Sequence, residues 1–438
     1  MKFKIGKYFT TYSITAGLSI ALLGSAFIYL DWAGLSHPLP ETISALLFFW
    51  CVLQADRRVW FWVGFFLSLF WFWWIMVSFK HYHILWAVPI GLLTISLIYA
   101  FLFWAIAAIS EYAANTLVTQ FTPRPKGTSP YGQARASLPK AIGLLLLSHL
   151  HPLGFDWLKP ALLFVHSYIG VQTWQLALVL TAILLSQYKK NSLFLLLVLL
   201  TYSPAKTTIS FQDTDSPIAL AHTMTSVEDK WNPALTASHI TEVFAIIDRA
   251  ITDRRQVIIL PESVFPFFLN KEPEILDALL KRSEQIDIII GALYLDTKQI
   301  HRNASYLLKK GRYTIANKVL LVPFGERNPL PEWAGEWVNR VFFDGAVDYI
   351  ASAEPTNFDI NGTPYRNAIC YEACSEVLYR DRPKQMIVLS NNGWFIPSVE
   401  PTLQRLLLEF YSRKYGTTIY HSVNMSPSYT IKSTKGHL

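Results

Sequence analysis

The sequence predicts a multi-span α-helical membrane domain followed by an α/β layered domain, and three observations carry this. Charge is unevenly distributed: residues 1–203 hold 18 of the 69 Asp, Glu, Lys and Arg residues, and residues 204–438 hold the other 51. The first part contains apolar runs of bilayer length, about 20 residues for a ~30 Å hydrocarbon core. The second part alternates β-branched runs with amphipathic segments, as strands and helices stacked in layers do. A composition of 52% hydrophobic and 15% aromatic residues is too apolar for an ordinary soluble enzyme. The expected division is 1–203 for a membrane domain of about seven helices and 204–438 for a globular domain, whose roughly 235 residues can bury a full core.

The first expected span, Ser13–Leu30, follows Lys2, Lys4 and Lys7. A signal peptide has such a basic start, but no small-residue cleavage motif follows and further spans come next. Those are Ile43–Gln54, Val59–Phe79, Ile84–Ile109, Ala141–Leu150, Gly170–Ser186 and Ser192–Ser203. Val59–Phe79 and Ile84–Ile109 can cross alone. Ile43–Gln54, Ala141–Leu150 and Ser192–Ser203 are short and need flanking residues, or else one is re-entrant. Loops assigned to the cytoplasm carry Lys2, Lys4, Lys7, Arg57, Arg58, Arg124, Lys126, Arg135, Lys140, Lys189 and Lys190, against Lys80 and Lys159 outside. Eleven against two is a positive-inside asymmetry. Seven crossings then place everything after Ser203 on the periplasmic side of a bacterial inner membrane, provided that Ala141–Leu150 crosses.

The net charge of +7 comes without a Lys/Arg block or basic–aromatic interleaving, so no nucleic-acid partner is expected. Three cysteines, with Cys51 inside a span, make no disulfide framework. His81/His83 and His149/His151 form two His-x-His pairs, but no Cys or carboxylate cluster accompanies them and no metal or other cofactor is expected. Trp71-Phe-Trp-Trp74 reads as an interfacial aromatic belt.

In the second part, Ile218–Met224 predicts a strand and Thr236–Arg254 a helix with apolar Ile240, Val243, Phe244, Ile247 and Ala250. Gln256-Val-Ile-Ile-Leu-Pro-Glu262 is a β-branched run ending in Pro-Glu. A helix over Pro273–Glu284 precedes the strand Ile286–Gly291, and Ser305–Ile315 reads as a hairpin with Lys-Gly in its turn. Asn317–Glu326 follows, with Lys318 entering a strand. Arg366–Glu376 is a short apolar strand ending in Cys370 and a polar turn. Gln385–Ser390 is a strand, and an amphipathic helix runs near Leu403–Tyr415.

Open α/β sheets gather catalytic groups where strands end. Glu262, Lys318 and Cys370 sit at such ends and have the types needed for acyl transfer. A thiol attacks a carbonyl, a carboxylate takes and returns its proton, and an ammonium stabilises the tetrahedral oxyanion. Each has a plainer reading as well: Cys370 as a small core residue, Glu262 as a surface carboxylate, Lys318 as one solvated lysine among many. Cys370 and Cys374 are not expected to bridge, because a strand-end residue and one a turn later seldom bring their Cβ atoms to ~3.8 Å.

Leu-Pro-Glu262, Asn-Lys318 with Val-Pro-Phe-Gly-Glu326, and Ile-Cys370-Tyr-Glu372 together resemble the Glu-Lys-Cys triad of the nitrilase (carbon–nitrogen hydrolase) superfamily. The fuller wording, behind a multi-span domain, is similar to its apolipoprotein N-acyltransferase branch. The resemblance implies an αββα nitrilase-like domain with Cys370 as nucleophile, Glu262 as general base and Lys318 as oxyanion partner. Glu326, Tyr371 and Glu372 match supporting active-site positions, and Trp231 matches a tryptophan where substrate enters, though a stack on the domain rim explains Trp231 equally. It implies a membrane phospholipid as acyl donor, a lipoprotein or other amine as acceptor, and a monomer.

The sequence departs from the family pattern in places. Asn391-Asn392-Gly-Trp-Phe-Ile396 replaces Asn-Asp-x-Trp-Phe-Gly, and His421-Ser-Val-Asn424-Met-Ser426-Pro427 replaces Arg-x-x-Asn-x-Gly. The sequence stops at Leu438 without the family's last span. A divergent member is therefore expected, with conjugal-transfer TraB-type proteins as an alternative. An amidase using water as acceptor and a non-enzymatic envelope component also stay open.

Overall fold

A computed structural model describes residues 8–121, 130–211, 216–333, 335, 336, 340 and 348–433. Of the charges that set the expected orientation, Lys2, Lys4, Lys7, Arg124 and Lys126 lie outside these residues, as does Leu438. The chain forms two compact units. One comprises Met1–Phe79, Leu85–Pro152 and Leu158–Ala205; the other comprises Lys80–Ile84, Leu153–Trp157 and Lys206–Leu438.

The first unit is helical: α1 (Thr11–Trp32), α2 (Pro38–Gln54), α3 (Arg57–Phe72), α4 (Val88–Phe121), α5 (Pro130–Leu146) and α6 (Thr173–Lys189), followed by a 3-10 stretch over Ser192–Thr201. Among the described residues, Thr11–Trp32, Arg57–Lys80 and Leu85–Ala114 are long and apolar enough to cross a membrane, whereas Pro38–Gln54 and Ser192–Thr201 are apolar but shorter. Glycines let α3 pack closely. A Cβ on Gly17 would lie 2.3 Å from Trp62 Cβ, and one on Gly64 2.4 Å from the Tyr99 carbonyl. Small residues at crossings serve membrane helices in this way.

The second unit holds two sheets. Its elements are β1 (Thr207–Ser210), β2 (Ile218–Leu220), β3 (His222–Thr223), α7 (Val227–Lys230), α8 (Thr236–Thr252), β4 (Val257–Ile259), β5 (Phe265–Phe268), α9 (Pro273–Arg282), β6 (Asp287–Leu295), β7 (His301–Lys309), β8 (Arg312–Asn317), β9 (Asn357–Ile360), β10 (Thr363–Ile369), β11 (Gln385–Asn391), α10 (Glu400–Tyr415), β12 (Thr418–Asn424) and β13 (Tyr429–Ser433). The first sheet runs β2-β4-β6-β7-β8 with β5 beside β6, and the second runs β1-β13-β12-β11-β10-β9 with β3 beside β12. β2, β4 and β6 are mutually parallel, as are β10, β11 and β12.

Period-two alternation builds the layers. Val257, Ile259, Ile289 and Leu307 face Phe358, Ile360, Ile387 and Leu389 across the two sheets. The intervening Ile258, Ile288, Ile290 and Leu308 point the other way, onto Val243, Ile247 and Ala250 of α8 and Leu279 of α9. α10 packs on β13 and β12 of the second sheet. The result is a four-layer αββα sandwich.

Two expectations change. Lys318 leaves strand β8 rather than entering one. The amides that follow it, Val319 and Leu320, donate to the Glu372 carboxylate at 2.7 and 3.1 Å instead of joining a ladder. The helix expected near Leu403–Tyr415 begins at Glu400, with Pro401 in its first turn, where the missing N–H is harmless.

Candidate active site

Strand ends supply the site. Glu262 follows β4 by three residues, Lys318 directly follows β8, and Cys370 directly follows β10 and opens a 3-10 turn over Cys370–Cys374. Cys370 sits at φ +52°, in the left-handed region, where a non-glycine residue persists only when its surroundings hold it. The kink leaves the thiol half-buried.

Lys318 is 1% exposed. Its Nζ lies 2.8 Å from Glu326 Oε2 and 3.6 Å from Glu262 Oε1. Asn303 Nδ2 donates to both acids, at 2.9 Å to Glu262 Oε1 and 2.6 Å to Glu326 Oε1. The other Glu262 oxygen accepts the Asn391 amide at 3.1 Å. Burial works against the Lys318 ammonium, but Glu326 and Glu262 outweigh it and hold its pKa above the ordinary lysine range. It stays charged at any working pH.

Burial pushes the Cys370 thiol well above its ordinary range; Glu262 adds to the shift and Lys318 opposes it. The resting sulfur is therefore protonated, and for it to act as a nucleophile a base would have to take its proton. Glu262 and Lys318 are both within electrostatic reach, so Glu262, Lys318, Glu326 and Cys370 form one cluster.

The other candidates point elsewhere. Glu372 accepts from Ile369 N at 2.8 Å with one oxygen and from Val319 and Leu320 with the other. Burial raises its pKa to about 7, against the pull of Lys318 and those amides. Tyr371 turns to the segment Leu153–Trp157: its hydroxyl donates to Gly154 O at 3.0 Å and accepts from Asp156 N at 2.8 Å, and its ring stacks on Phe155 and Trp157. Trp231 is exposed at the end of α7. Among the described residues, no group of three or more His, Cys, Asp or Glu is arranged to hold a metal ion. His81 pairs with Glu228 at 3.2 Å, and both His81 and Tyr82 pack on Trp394.

Four further residues escaped the sequence reading. Asn303 bridges the two acids, and Lys230, next to Trp231, buries its ammonium without a hydrogen-bond partner among the described residues. Burial lowers the Lys230 pKa to about 8, with Glu262 opposing. Glu400 and Gln404, one turn apart on α10, are buried beside Cys370. The signal for this pair was two polar residues at i, i+4 on a helix face that is otherwise apolar.

A thiol, a buried ammonium and carboxylates gather at the strand ends of an αββα sandwich, in a chain whose other unit holds helices long and apolar enough to cross a membrane. Residues 11–205 match the family model described as the apolipoprotein N-acyltransferase integral membrane domain. An apolipoprotein N-acyltransferase of Wolinella succinogenes is 38% identical over 421 residues, 95% of each chain. One from Helicobacter hepaticus is 32% identical, covering 89% of this chain and 93% of its own. A solved CN-hydrolase superfamily protein from Xanthomonas campestris aligns with TM-score 0.34 at 14% identity, over 47% of this chain and 75% of its own. The chain belongs to the apolipoprotein N-acyltransferase family and is a bacterial membrane N-acyltransferase. The conjugal-transfer alternative is not favoured by these relatives.

Proposed function

We propose that the protein moves a fatty acyl group from a membrane phospholipid, through a thioester on Cys370, to the α-amine of a lipoprotein. It acts as a monomer on the periplasmic side of the inner membrane. One observation carries the catalytic assignment: Lys318 is sealed between Glu262 and Glu326, and both acids are tied to Asn303.

In the first half-reaction, Cys370 Sγ attacks the ester carbonyl carbon while its proton passes to Glu262. Negative charge collects on the carbonyl oxygen, where the Lys318 ammonium stabilises it. The C–O bond breaks, Glu262 returns the proton to the departing alkoxide, and a lysophospholipid leaves. In the second, the amine nitrogen attacks the thioester carbon and loses a proton to Glu262. The C–S bond breaks, and the sulfur leaves as thiolate and takes that proton, giving an amide and the free thiol. Glu326 holds Lys318, and Glu372 aligns its backbone with that of Cys370. Trp231 marks where substrate enters. The scheme uses no cofactor.

Incubation of the purified protein with phospholipid should add the mass of one acyl chain, absent in Cys370→Ala, and a diacylated lipopeptide should then discharge it as an amide. The gene should also rescue depletion of a host's apolipoprotein N-acyltransferase, with Cys370→Ala unable to. No acyl adduct on the wild-type protein would sink the thioester, and discharge only to free fatty acid would make the protein a hydrolase.

A further inference from the structure

The Glu-Lys-Cys set supplies a base, an oxyanion partner and a nucleophile, but the proton that Glu262 returns reaches the sulfur only once it has left as a thiolate. The sulfur needs a hydrogen-bond donor as it leaves in the second half-reaction. α10 presents one. Gln404 Nε2 lies 3.8 Å from Cys370 Sγ, Gln404 is 1% exposed, and its Oε1 has no hydrogen-bond partner among the described residues. Its backbone carbonyl accepts from Cys374 Sγ at 3.8 Å, which fixes this turn of the helix against the turn Cys370–Cys374. Glu400, one turn earlier on the same face, is also 1% exposed, and its Oε2 has no hydrogen-bond partner among the described residues.

We propose that Gln404 is a further catalytic residue, its amide N–H donating to the Cys370 sulfur as the C–S bond breaks, with Glu400, buried one turn earlier on the same face, as the group whose charge would oppose that departure. The proposal rests on Cys370 being the acyl carrier.

An amide donor near a sulfur gains most where the sulfur is anionic and least in the thioester, whose sulfur is uncharged. The contact thus favours thiolate departure over the acylated state. Glu262, Lys318, Glu400 and Glu326 all face the thiol electrostatically. Lys318 is the one cation of the four, so an ionised Glu400 would work against thiolate departure. Burial, reinforced by Glu262, holds the Glu400 carboxyl up at about 8, so it is neutral at pH 7 and ionises above. Cys374 and Tyr429, the other titrating groups within its reach, are buried groups whose pKa values are themselves pushed up by burial.

The test follows Cys370 alkylation by iodoacetamide against pH, read at the peptide level in the full-length protein in detergent, together with the rate at which a lipopeptide amine discharges the acyl-enzyme. Gln404→Leu should raise the alkylation midpoint by about one pH unit and slow discharge about tenfold. Gln404→His, which restores an N–H donor, should recover most of both. The wild type should lose activity above about pH 8, where Glu400 ionises, and Glu400→Gln should keep it. An unchanged midpoint and discharge rate in Gln404→Leu, in protein that still acylates at Cys370, overturns the inference and leaves the thioester standing. A wild-type protein that never acylates overturns the thioester, while the alkylation midpoints still report whether Gln404 holds the sulfur.

Discussion

Three consecutive side chains in the turn after β10 go three ways: the left-handed backbone at Cys370 turns its thiol, and 3-10 geometry parts Tyr371 from Glu372. With three residues per turn, neighbours diverge by about 120°. Cys370 faces the acids and the ammonium, Tyr371 reaches the segment Leu153–Trp157, and Glu372 turns back to collect the amides of Ile369, Val319 and Leu320. Glu372 therefore joins the end of the strand that carries Cys370 to the residues just past Lys318. Glu372→Gln must turn its NH₂ toward at least one of those three donors and lose that bond. Leaving a buried donor unsatisfied costs about 1–3 kcal/mol, so the melting temperature and turnover should fall together. Cys370→Ala should abolish turnover with the melting temperature nearly unchanged. Calorimetry beside an acyl-transfer assay separates the two; full stability in Glu372→Gln would contradict the joining role.

At the scale of elements, Glu262, the proposed base, is aimed by a strand that does not carry it. On β6, a Cβ at Gly291 would sit 2.7 Å from Glu262 Cα, from the Pro261 carbonyl and from Ser263 N. All three are backbone atoms, so no side chain can rotate away. Gly291→Ala should destabilise the domain by about 1–3 kcal/mol and, by moving Glu262 off its contact with the Asn391 amide, lower kcat about 100-fold. Leu293→Ala, further along β6, removes apolar burial without approaching Glu262, and should lower stability with a much smaller effect on kcat. Strand ends were legible in the sequence because Leu-Pro-Glu262 and Ile-Cys370 each close an apolar run. The αββα layers could be expected only through the family resemblance, since alternation tells a strand it has two buried faces but not which sheet lies across each. Side-chain direction was not legible: the Cys-Tyr-Glu wording put three residues together that the turn sends apart, and the helix carrying Gln404 was started three residues late, which hid Glu400.

At the scale of the whole molecule, the unevenness of charge marked out the membrane-spanning part, because lipid tolerates few ionised groups. Length was less informative: α2 and α6, at 17 residues each, fall below the ~20 that a straight crossing needs. The expected orientation rests on loop charge, with Lys189 and Lys190 closing α6 on the expected cytoplasmic side and the αββα sandwich expected in the periplasm. Two exposed positions test this. With the three native cysteines replaced by alanine, Trp231→Cys should react with a membrane-impermeant maleimide in intact cells whose outer membrane admits it, and Lys190→Cys only after the inner membrane is opened. The reverse pattern would mean an even number of crossings before Lys206, with Ala141–Leu150 the segment that fails to cross. It would also put the thiol on the side where a lipoprotein's exported amine never arrives, so the proposed acceptor would fall with the topology.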